Sequence, residues 1–181
     1  ISYLFFLSIL INLVSASDIF EYFTNENKTS TERTGDILQI ALPLSALSST
    51  FILKSKENRT QFWKSYISSI SVTYLLKYTI NKKRPNGNSY SFPSGHTTSA
   101  FSGAMFIQKK YGYKYGIPSL ILASFVGYSR VYANMHYWQD VFAGATIGFL
   151  GNIIFTKNKE KVNISLVRNQ GNPNLLVNLQ F

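Results

Sequence analysis

The chain contains only two histidines, His96 and His136. By type and position, they are the side chains best suited to catalysis. His136 lies four residues before Asp140. If both residues sit on one face of a helix, the carboxylate can accept the Nδ1–H of the imidazole and leave the Nε2 lone pair facing outward. This spacing makes His136 a candidate nucleophile and Asp140 its orienting partner, although the same pair also occurs as a structural hydrogen bond.

Cationic side chains in the same part of the sequence favour an anionic substrate. Lys77 and Arg84 are seven residues apart, so a helix that spans both would point them the same way after two turns. An ammonium supplies a mobile charge, and a guanidinium supplies a planar fork that binds two phosphate oxygens. Arg130, six residues before His136, can bring a second guanidinium to the same point. Taken alone, Lys77 and Arg84 also suit an interfacial pair that contacts lipid headgroups.

The second histidine, His96, ends the run P-S-G-H just before an apolar segment that we expect to be helical. Ser94 is a typical N-cap residue, and a helix N-terminus presents free backbone N–H groups and the positive end of the helix dipole to an anion. Gly95 allows the backbone to approach a ligand closely. Ser94 and Gly95 are therefore candidate phosphate ligands, although P-S-G-H alone is also typical of a turn and a cap.

Two histidines and a carboxylate could instead bind a metal ion. Lys77, Arg84 and Arg130 would repel a bound cation, whereas all three would attract a phosphate. The chain has no cysteine, which excludes thiolate metal sites and disulfides. We therefore expect an anionic substrate, no metal ion and no cofactor. The neighbouring Lys82 and Lys83 receive no role from their spacing.

Six apolar segments would position these residues, and each is better explained as a helix than as a strand because it is long and lacks strict alternation. The segments span residues 1–16, 37–53, 61–80, 97–108, 115–133 and 139–156. Two short strands or an irregular tail are expected at 162–181. The sequence thus predicts an all-α bundle of about six helices. Residues 1–16 are its first helix or a signal peptide, 17–161 form the helical-bundle domain, and 162–181 form a short irregular or β tail.

The composition favours a membrane protein. Charged residues make up 14 % of the chain, against roughly 25 % in typical soluble proteins. The loops after segments two, four and six are basic and the stretch 17–36 is net acidic, as expected when basic loops share one side of a membrane. Residues 1–16 are then the first transmembrane helix. Alternatively, 1–16 is a signal peptide cleaved after Ala16, which would leave an exported periplasmic protein.

The net charge of +10 raises the question of nucleic-acid binding. The lysines and arginines gather at the ends of the apolar segments, and they are not interleaved with aromatic residues on which bases could stack. We therefore expect no nucleic-acid partner. The sequence predicts no particular oligomeric state.

Three motifs, K-x6-R-P, P-S-G-H and S-R-x5-H-x3-D, resemble in this order the three-part signature of the type-2 phosphatidic acid phosphatase superfamily. That superfamily also includes bacterial nonspecific acid phosphatases and vanadium-dependent haloperoxidases. The resemblance covers residues 77–155 and matches every signature position. It implies that His136 forms a phosphohistidine, that Asp140 orients it, and that His96 protonates the leaving alkoxide. The phosphate ligands that it implies are Lys77, Arg84, Ser94, Gly95 and Arg130.

The resemblance implies a metal-independent phosphatase that hydrolyses phosphate monoesters or diphosphates, with a lipid phosphate as the expected substrate. Membrane members of the family place the three motifs at the end of helix three, at the start of helix four and between helices five and six, which the predicted segments reproduce. The site would then face the periplasm from a bacterial inner membrane. The alternatives are a soluble exported acid phosphatase, a vanadate-dependent haloperoxidase and a non-catalytic membrane protein.

Overall fold

The structure is a computed structural model that describes residues 28–158, 161–169 and 172–180, with side chains described for 28–158. Five helices and two strands follow one another in these ranges. They are α1 (Ser30–Ile52), α2 (Lys56–Ile80), α3 (Gly95–Tyr111), α4 (Tyr113–Tyr132), α5 (Trp138–Phe155), β1 (Lys161–Asn169) and β2 (Asn172–Gln180). The predicted all-α bundle is confirmed. The first predicted segment, 1–16, lies outside the described residues.

Side-chain caps determine where the first helices begin. Thr29 accepts a hydrogen bond from the backbone N–H of Glu32 and begins α1 at Ser30, well before the predicted segment 37–53. The first turns of α1 are polar but face inward, because Glu32 and Asp36 are both buried. The prediction that 17–36 is a loop is therefore wrong for its last residues, since inward-facing polar side chains do not produce an apolar pattern.

The end of α2 separates two residues that the sequence placed on one helix face. Asn81 adopts a left-handed conformation (φ 43°, ψ 43°), and its N–H bonds to the carbonyl of Lys77, which ends the helix at Ile80. Arg84 lies beyond this point in the irregular segment 81–94. The prediction that Lys77 and Arg84 share the face of a continuous helix is therefore wrong, although both remain near the same site.

The helix α3 is the centre of the bundle, because it contacts each of the other four described helices. Its neighbours approach closely through small residues. A Cβ on Gly103 of α3 would lie 2.5 Å from the backbone nitrogen of Pro43 in α1, and a Cβ on Gly148 of α5 would lie 2.9 Å from the backbone nitrogen of Ser102. Close packing on all sides fixes the position of the N-terminus of α3, where the run P-S-G-H lies.

The interior of the bundle combines two apolar clusters with many buried polar side chains, and its surface carries many apolar side chains. Inside, Thr73 donates to Thr98 at 2.9 Å, and Asn152 Nδ2 donates to the carbonyl of Ser102 at 2.9 Å. The surface carries many exposed large apolar side chains, among them Ile37, Ile40, Leu44, Ile67, Leu75, Ile121, Phe142, Leu150, Ile153 and Ile154. So many buried polar side chains together with so many exposed large apolar ones are unusual in a soluble protein.

The mean hydropathy of the helices indicates a membrane protein less strongly than the apolar side chains on the bundle surface do. Among the described residues, α1 is the one helix that is long and apolar enough, by length and composition, to cross a membrane. The helix α2 buries Ser65, Ser69 and Thr73 against its neighbours, which lowers its average hydropathy although its outer face is apolar.

After α5, the chain forms an antiparallel hairpin. Lys161 pairs with Gln180 and Asn169 pairs with Asn172, so the register is continuous along both strands. Two strands are one of the two forms predicted for the tail at 162–181.

Candidate active site

The residues predicted from the three motifs meet at one end of the bundle. The N-termini of α1, α3 and α5 and the C-termini of α2 and α4 lie at this end, which we call the site end. Backbone and side-chain contacts join these elements: Ser94 N–H donates to the carbonyl of Asp140 at 2.9 Å, and Lys77 Nζ donates to the carbonyl of Pro93 at 2.9 Å. The site residues gathered here are Lys77, Arg84, Ser94, Gly95, His96, Arg130, His136 and Asp140.

His136 lies in the short connection between α4 and α5, with 3 % of its side chain exposed. Burial, together with the positive charges of Arg84 and Lys77, lowers the pKa of His136 to about 3. The imidazole is therefore neutral at physiological pH, and one of its nitrogens carries a lone pair. A neutral, buried imidazole beside cations can attack an electrophilic centre that carries negatively charged oxygens.

Asp140 is fully buried, and three donors hold its carboxylate. Lys82 Nζ lies 2.8 Å from Oδ1, while Ser91 Oγ and the backbone N–H of Tyr137 both donate to Oδ2. The last of these bonds is a helix cap, because Tyr137 immediately precedes the first residue of α5. The carboxylate thus has a fixed position next to His136.

The relation between His136 and Asp140 differs from the one predicted. His136 lies before the first residue of α5, so the two residues do not share a helix face. His136 Nδ1 is 3.7 Å from Asp140 Oδ2, which is longer than a hydrogen bond, and it has no hydrogen-bond partner among the described residues. The cap of α5, rather than helical periodicity, brings the two side chains together.

Arg130 is fully buried in the last turn of α4, and each of its nitrogens donates to a protein atom. Nη1 lies 2.6 Å from Asp36 Oδ1, Nη2 lies 2.8 Å from the carbonyl of Glu32, and Nε lies 3.1 Å from Ser129 Oγ. Gly35 permits this approach, because a Cβ there would lie 2.8 Å from Arg130 Nη2. The guanidinium is therefore held rigidly between α1 and α4.

His96 lies in the first turn of α3, and its Nε2 is 3.3 Å from Asp36 Oδ1. Ser94 is the N-cap of α3, as predicted, and its Oγ accepts from the backbone N–H of Thr97. A Cβ on Gly95 would meet no atom within 4 Å, so there is open space beside this helix N-terminus. Free N–H groups and open space together can accommodate an anion.

Lys77 reaches across to the segment 81–94 instead of pointing into open solvent. Its ammonium donates to the carbonyls of Tyr90 and Pro93, at 2.8 and 2.9 Å. Its positive charge is therefore anchored at the first residue of the run P-S-G-H. In this structure Lys77 also holds the segment onto α2, a structural role that its spacing to Arg84 did not predict.

Comparison with known proteins now adds to this geometry. Residues 60–163 match the PAP2 superfamily, which is more than half of the chain. The chain belongs to the PAP2 superfamily. The resemblance inferred from the three motifs is thereby confirmed.

Two relatives and one solved structure illustrate what the chain is similar to. The chain is 31 % identical over 144 residues to a lipid A 4'-phosphatase of Helicobacter pylori, an alignment that covers 73 % of this chain and 72 % of that protein. It is 40 % identical over 78 residues to a lipid A 1-phosphatase of Porphyromonas gingivalis, covering 41 % of this chain but only 18 % of that relative. The crystal structure of Aquifex aeolicus LpxE has a TM-score of 0.61 and 24 % identity, covers 76 % of this chain and 92 % of its own, and shows the shared fold.

Among the side chains of this PAP2 site that were not predicted from the sequence are Asp36, Lys82 and Ser91. Asp36 contacts both His96 and Arg130, but it is 94 residues from Arg130 along the chain. Lys82 contacts Asp140 across 58 residues. A sequence signal existed for Asp36, because it directly precedes an apolar run in a chain with only eight acidic residues.

Proposed function

We propose that this protein is a phosphatase that hydrolyses a lipid phosphate monoester or diphosphate through a phosphohistidine. The observation that carries the proposal is the buried, neutral His136 with Arg84 and Lys77 close enough to lower its pKa. A neutral imidazole surrounded by cations suits attack on a phosphorus whose oxygens are negatively charged. The names of the relatives, lipid A 4'-phosphatase and lipid A 1-phosphatase, support a lipid phosphate as the substrate class.

In the first step of the proposed reaction, His136 Nε2 attacks phosphorus. A P–N bond forms as the P–O bond to the leaving group breaks, and the departing alkoxide takes a proton from His96. Lys77, Arg84 and the backbone N–H of Gly95 stabilise the charge that develops on the phosphate oxygens. The open space beside Gly95 supports this placement of the phosphate.

In the second step, water attacks the phosphohistidine and releases inorganic phosphate. His96, now neutral, takes a proton from the water, and the P–N bond breaks to restore the lone pair of His136. Asp140 holds a negative charge beside the ring as His136 becomes positively charged in the intermediate. We expect its distance of 3.7 Å from Nδ1 to shorten in the substrate complex, since catalytic hydrogen bonds often tighten there.

The reaction requires no metal ion in this proposal. Among the described residues, no three His, Cys, Asp or Glu side chains are grouped as a metal site would require. The positive charges of Lys77, Arg84 and Arg130 instead provide the electrostatic stabilisation that a metal ion supplies in other phosphatases.

The surface of the bundle supports insertion into a lipid bilayer. The exposed apolar side chains form the sides of the bundle, and exposed aromatic side chains lie near both of its ends. Tyr78, Tyr132 and Trp138 lie towards the site end, and Trp63 and Tyr113 lie towards the other. Tyrosine and tryptophan prefer the two membrane–water interfaces, so this arrangement fits a protein that spans the bilayer.

The distribution of lysines supports one orientation of the protein in the membrane. Lys64, Lys109 and Lys157 line a cavity of about 610 Å³ at the end of the bundle opposite the site end. Positive residues accumulate on the cytoplasmic side of membrane proteins. The site end would therefore face the periplasm, where the phosphate groups of envelope lipids are accessible.

The substrate class is tested by measuring phosphate release from a panel of phosphates in the presence of a chelator. The panel contains phosphatidic acid, a polyprenyl diphosphate, lipid A and a soluble alkyl phosphate. We expect release from at least one lipid at a kcat/KM well above that of the soluble ester, and no effect of the chelator. Preference for the soluble ester would favour a soluble-type acid phosphatase, and loss of activity with chelator would contradict the metal-independent reaction.

The orientation is tested with single cysteines, since the native chain has none. Asn88 is exposed at the site end and Lys114 is exposed at the opposite end. In intact cells, an impermeant thiol reagent should label N88C but not K114C, and both should be labelled after lysis. Labelling of both in intact cells, or of K114C alone, would contradict the proposed topology.

A further inference from the structure

Asp36 is a fully buried carboxylate at the site end, in the second turn of α1. It lies outside residues 60–163, which match the PAP2 superfamily, and outside all three sequence motifs. A buried carboxylate is costly unless it is paired with positive charge and hydrogen bonds. Its partners therefore indicate what it does.

Two of those partners are His96, the proposed acid, and Arg130, a proposed phosphate ligand. Both contact the same oxygen of Asp36. Asp36 Oδ1 is 2.6 Å from Arg130 Nη1 and 3.3 Å from His96 Nε2. The other oxygen, Oδ2, is 2.7 Å from Lys28 Nζ. Asp36 thus connects α1 to the first turn of α3 and to the last turn of α4.

On this geometry, and given the proposed phosphatase function, we infer that Asp36 is a positioning residue that supports proton delivery by His96. A carboxylate that accepts a hydrogen bond from Nε2–H fixes the orientation of the imidazole and stabilises its positively charged form. When the P–O bond breaks, the imidazolium gives its other N–H proton to the leaving oxygen. The Nε2–H remains bonded to Asp36, and the ring becomes neutral.

Arg130 determines where the carboxylate can be. Its other nitrogens are bound to the carbonyl of Glu32 and to Ser129 Oγ, so the guanidinium cannot shift without breaking these contacts. Asp36 is held by this rigid group, and His96 is held by Asp36.

The inference predicts a dependence on the leaving group that a purely structural role would not produce. In D36N, kcat for an alkyl phosphate should fall about 100-fold, while kcat for p-nitrophenyl phosphate should fall less than about tenfold, because nitrophenolate departs without a proton. D36E should recover part of the activity towards the alkyl phosphate. The matched control is E57Q, which removes an exposed carboxylate that is paired with Lys157 at the opposite end. E57Q should leave both activities unchanged.

The outcomes separate the inference from its alternatives. Equal losses for the two substrates, together with a lower unfolding temperature, would show that Asp36 only stabilises the fold. Unchanged activity in D36N would show that proton delivery does not need the carboxylate, and increased activity would show that the carboxylate competes with the phosphate for Arg130. Any of these results overturns the inference.

A second measurement does not require D36N to fold. In the H136A protein His96 is the one remaining histidine, so ¹⁵N-histidine NMR reports on its ring alone. We expect a proton on Nε2, bonded to Asp36. A ring with its proton on Nδ1 alone would overturn the inference. If the wild-type protein releases no phosphate, the proposed function fails, but the NMR spectrum still tests the contact between His96 and Asp36. If the wild-type protein is active and D36N shows no leaving-group effect, only the inference about Asp36 fails.

Discussion

The two buried carboxylates of the site hold their histidines differently. Asp36 lies within 3.3 Å of His96 Nε2, whereas Asp140 is 3.7 Å from His136 Nδ1 and is bonded to Lys82, Ser91 and the cap of α5 instead. A nucleophile has to be neutral, and a proton donor benefits from a nearby anion. In the proposed mechanism, this contrast lets one site give its two histidines opposite roles, with separate partners for each.

The largest expected loss of activity comes from replacing His136, the proposed nucleophile. H136A should lose at least about 10⁴-fold in kcat with every leaving group, because no P–N bond can form. H96A should instead lose activity mainly with alkyl leaving groups and retain much of it with p-nitrophenyl phosphate. Steady-state phosphate release from both substrates by both variants checks this. If the two variants lose activity to the same extent with both substrates, the two histidines do not have different roles.

The next effect concerns the cation beside His136. R84K keeps the positive charge but replaces a planar fork with a point charge, so kcat/KM should fall about 100-fold. Competitive inhibition by vanadate, a phosphate mimic, should weaken in the same variant. Activity and vanadate affinity close to those of the wild type would show that Arg84 acts only through its charge.

A smaller effect is expected from the support of Asp140. K82Q removes the charged donor at 2.8 Å from Oδ1, and kcat should fall about tenfold, consistent with the loss of one charge-assisted hydrogen bond. The neighbouring Lys83 is exposed and provides the matched control. K83Q should behave like the wild type. Equal activity in K82Q and K83Q would mean that Ser91 and Tyr137 suffice to hold Asp140.

The sequence predicted the Asp140 side of the site better than the Asp36 side, for a physical reason. His136 and Asp140 are close in the chain, so a local spacing indicates their proximity even though a helix cap, not a helix face, produces it. Asp36 reaches Arg130 across 94 residues, and only the packing of α1 on α4 brings them together. Single-sequence periodicity carries no information about such a contact.

The helices themselves were predictable where an apolar face continues along the whole element, as in α4 and α5. The start of α1 was not, because its first turns bury Glu32, Gly35 and Asp36. The contact of Lys82 with Asp140 depends on the path of segment 81–94, which is set by the left-handed Asn81 and by the bond from Ser91 N–H to the carbonyl of Lys82. Such irregular backbone is determined by tertiary contacts.

The smallest expected effect is on the pH dependence of stability. Because the pKa of His136 is about 3 in the folded protein and about 6.5 when unfolded, the unfolded state alone binds this proton between those values. The contribution of neutral His136 to the free energy of unfolding is therefore lost progressively as pH falls from about 6.5 towards 3. H136A should lose less thermal stability over this range than the wild type. Parallel curves of unfolding temperature against pH would show that His136 titrates normally.

The central claim, that His136 receives the phosphoryl group, is tested most directly by trapping the intermediate. Wild-type protein is mixed with a substrate labelled in its phosphate, in the presence of a chelator, and is denatured in base within the first turnover. The label should be found on His136 as an adduct that survives base and is lost in acid, and H136A should carry none. Continued turnover in H136A, or label on another residue, would contradict the account.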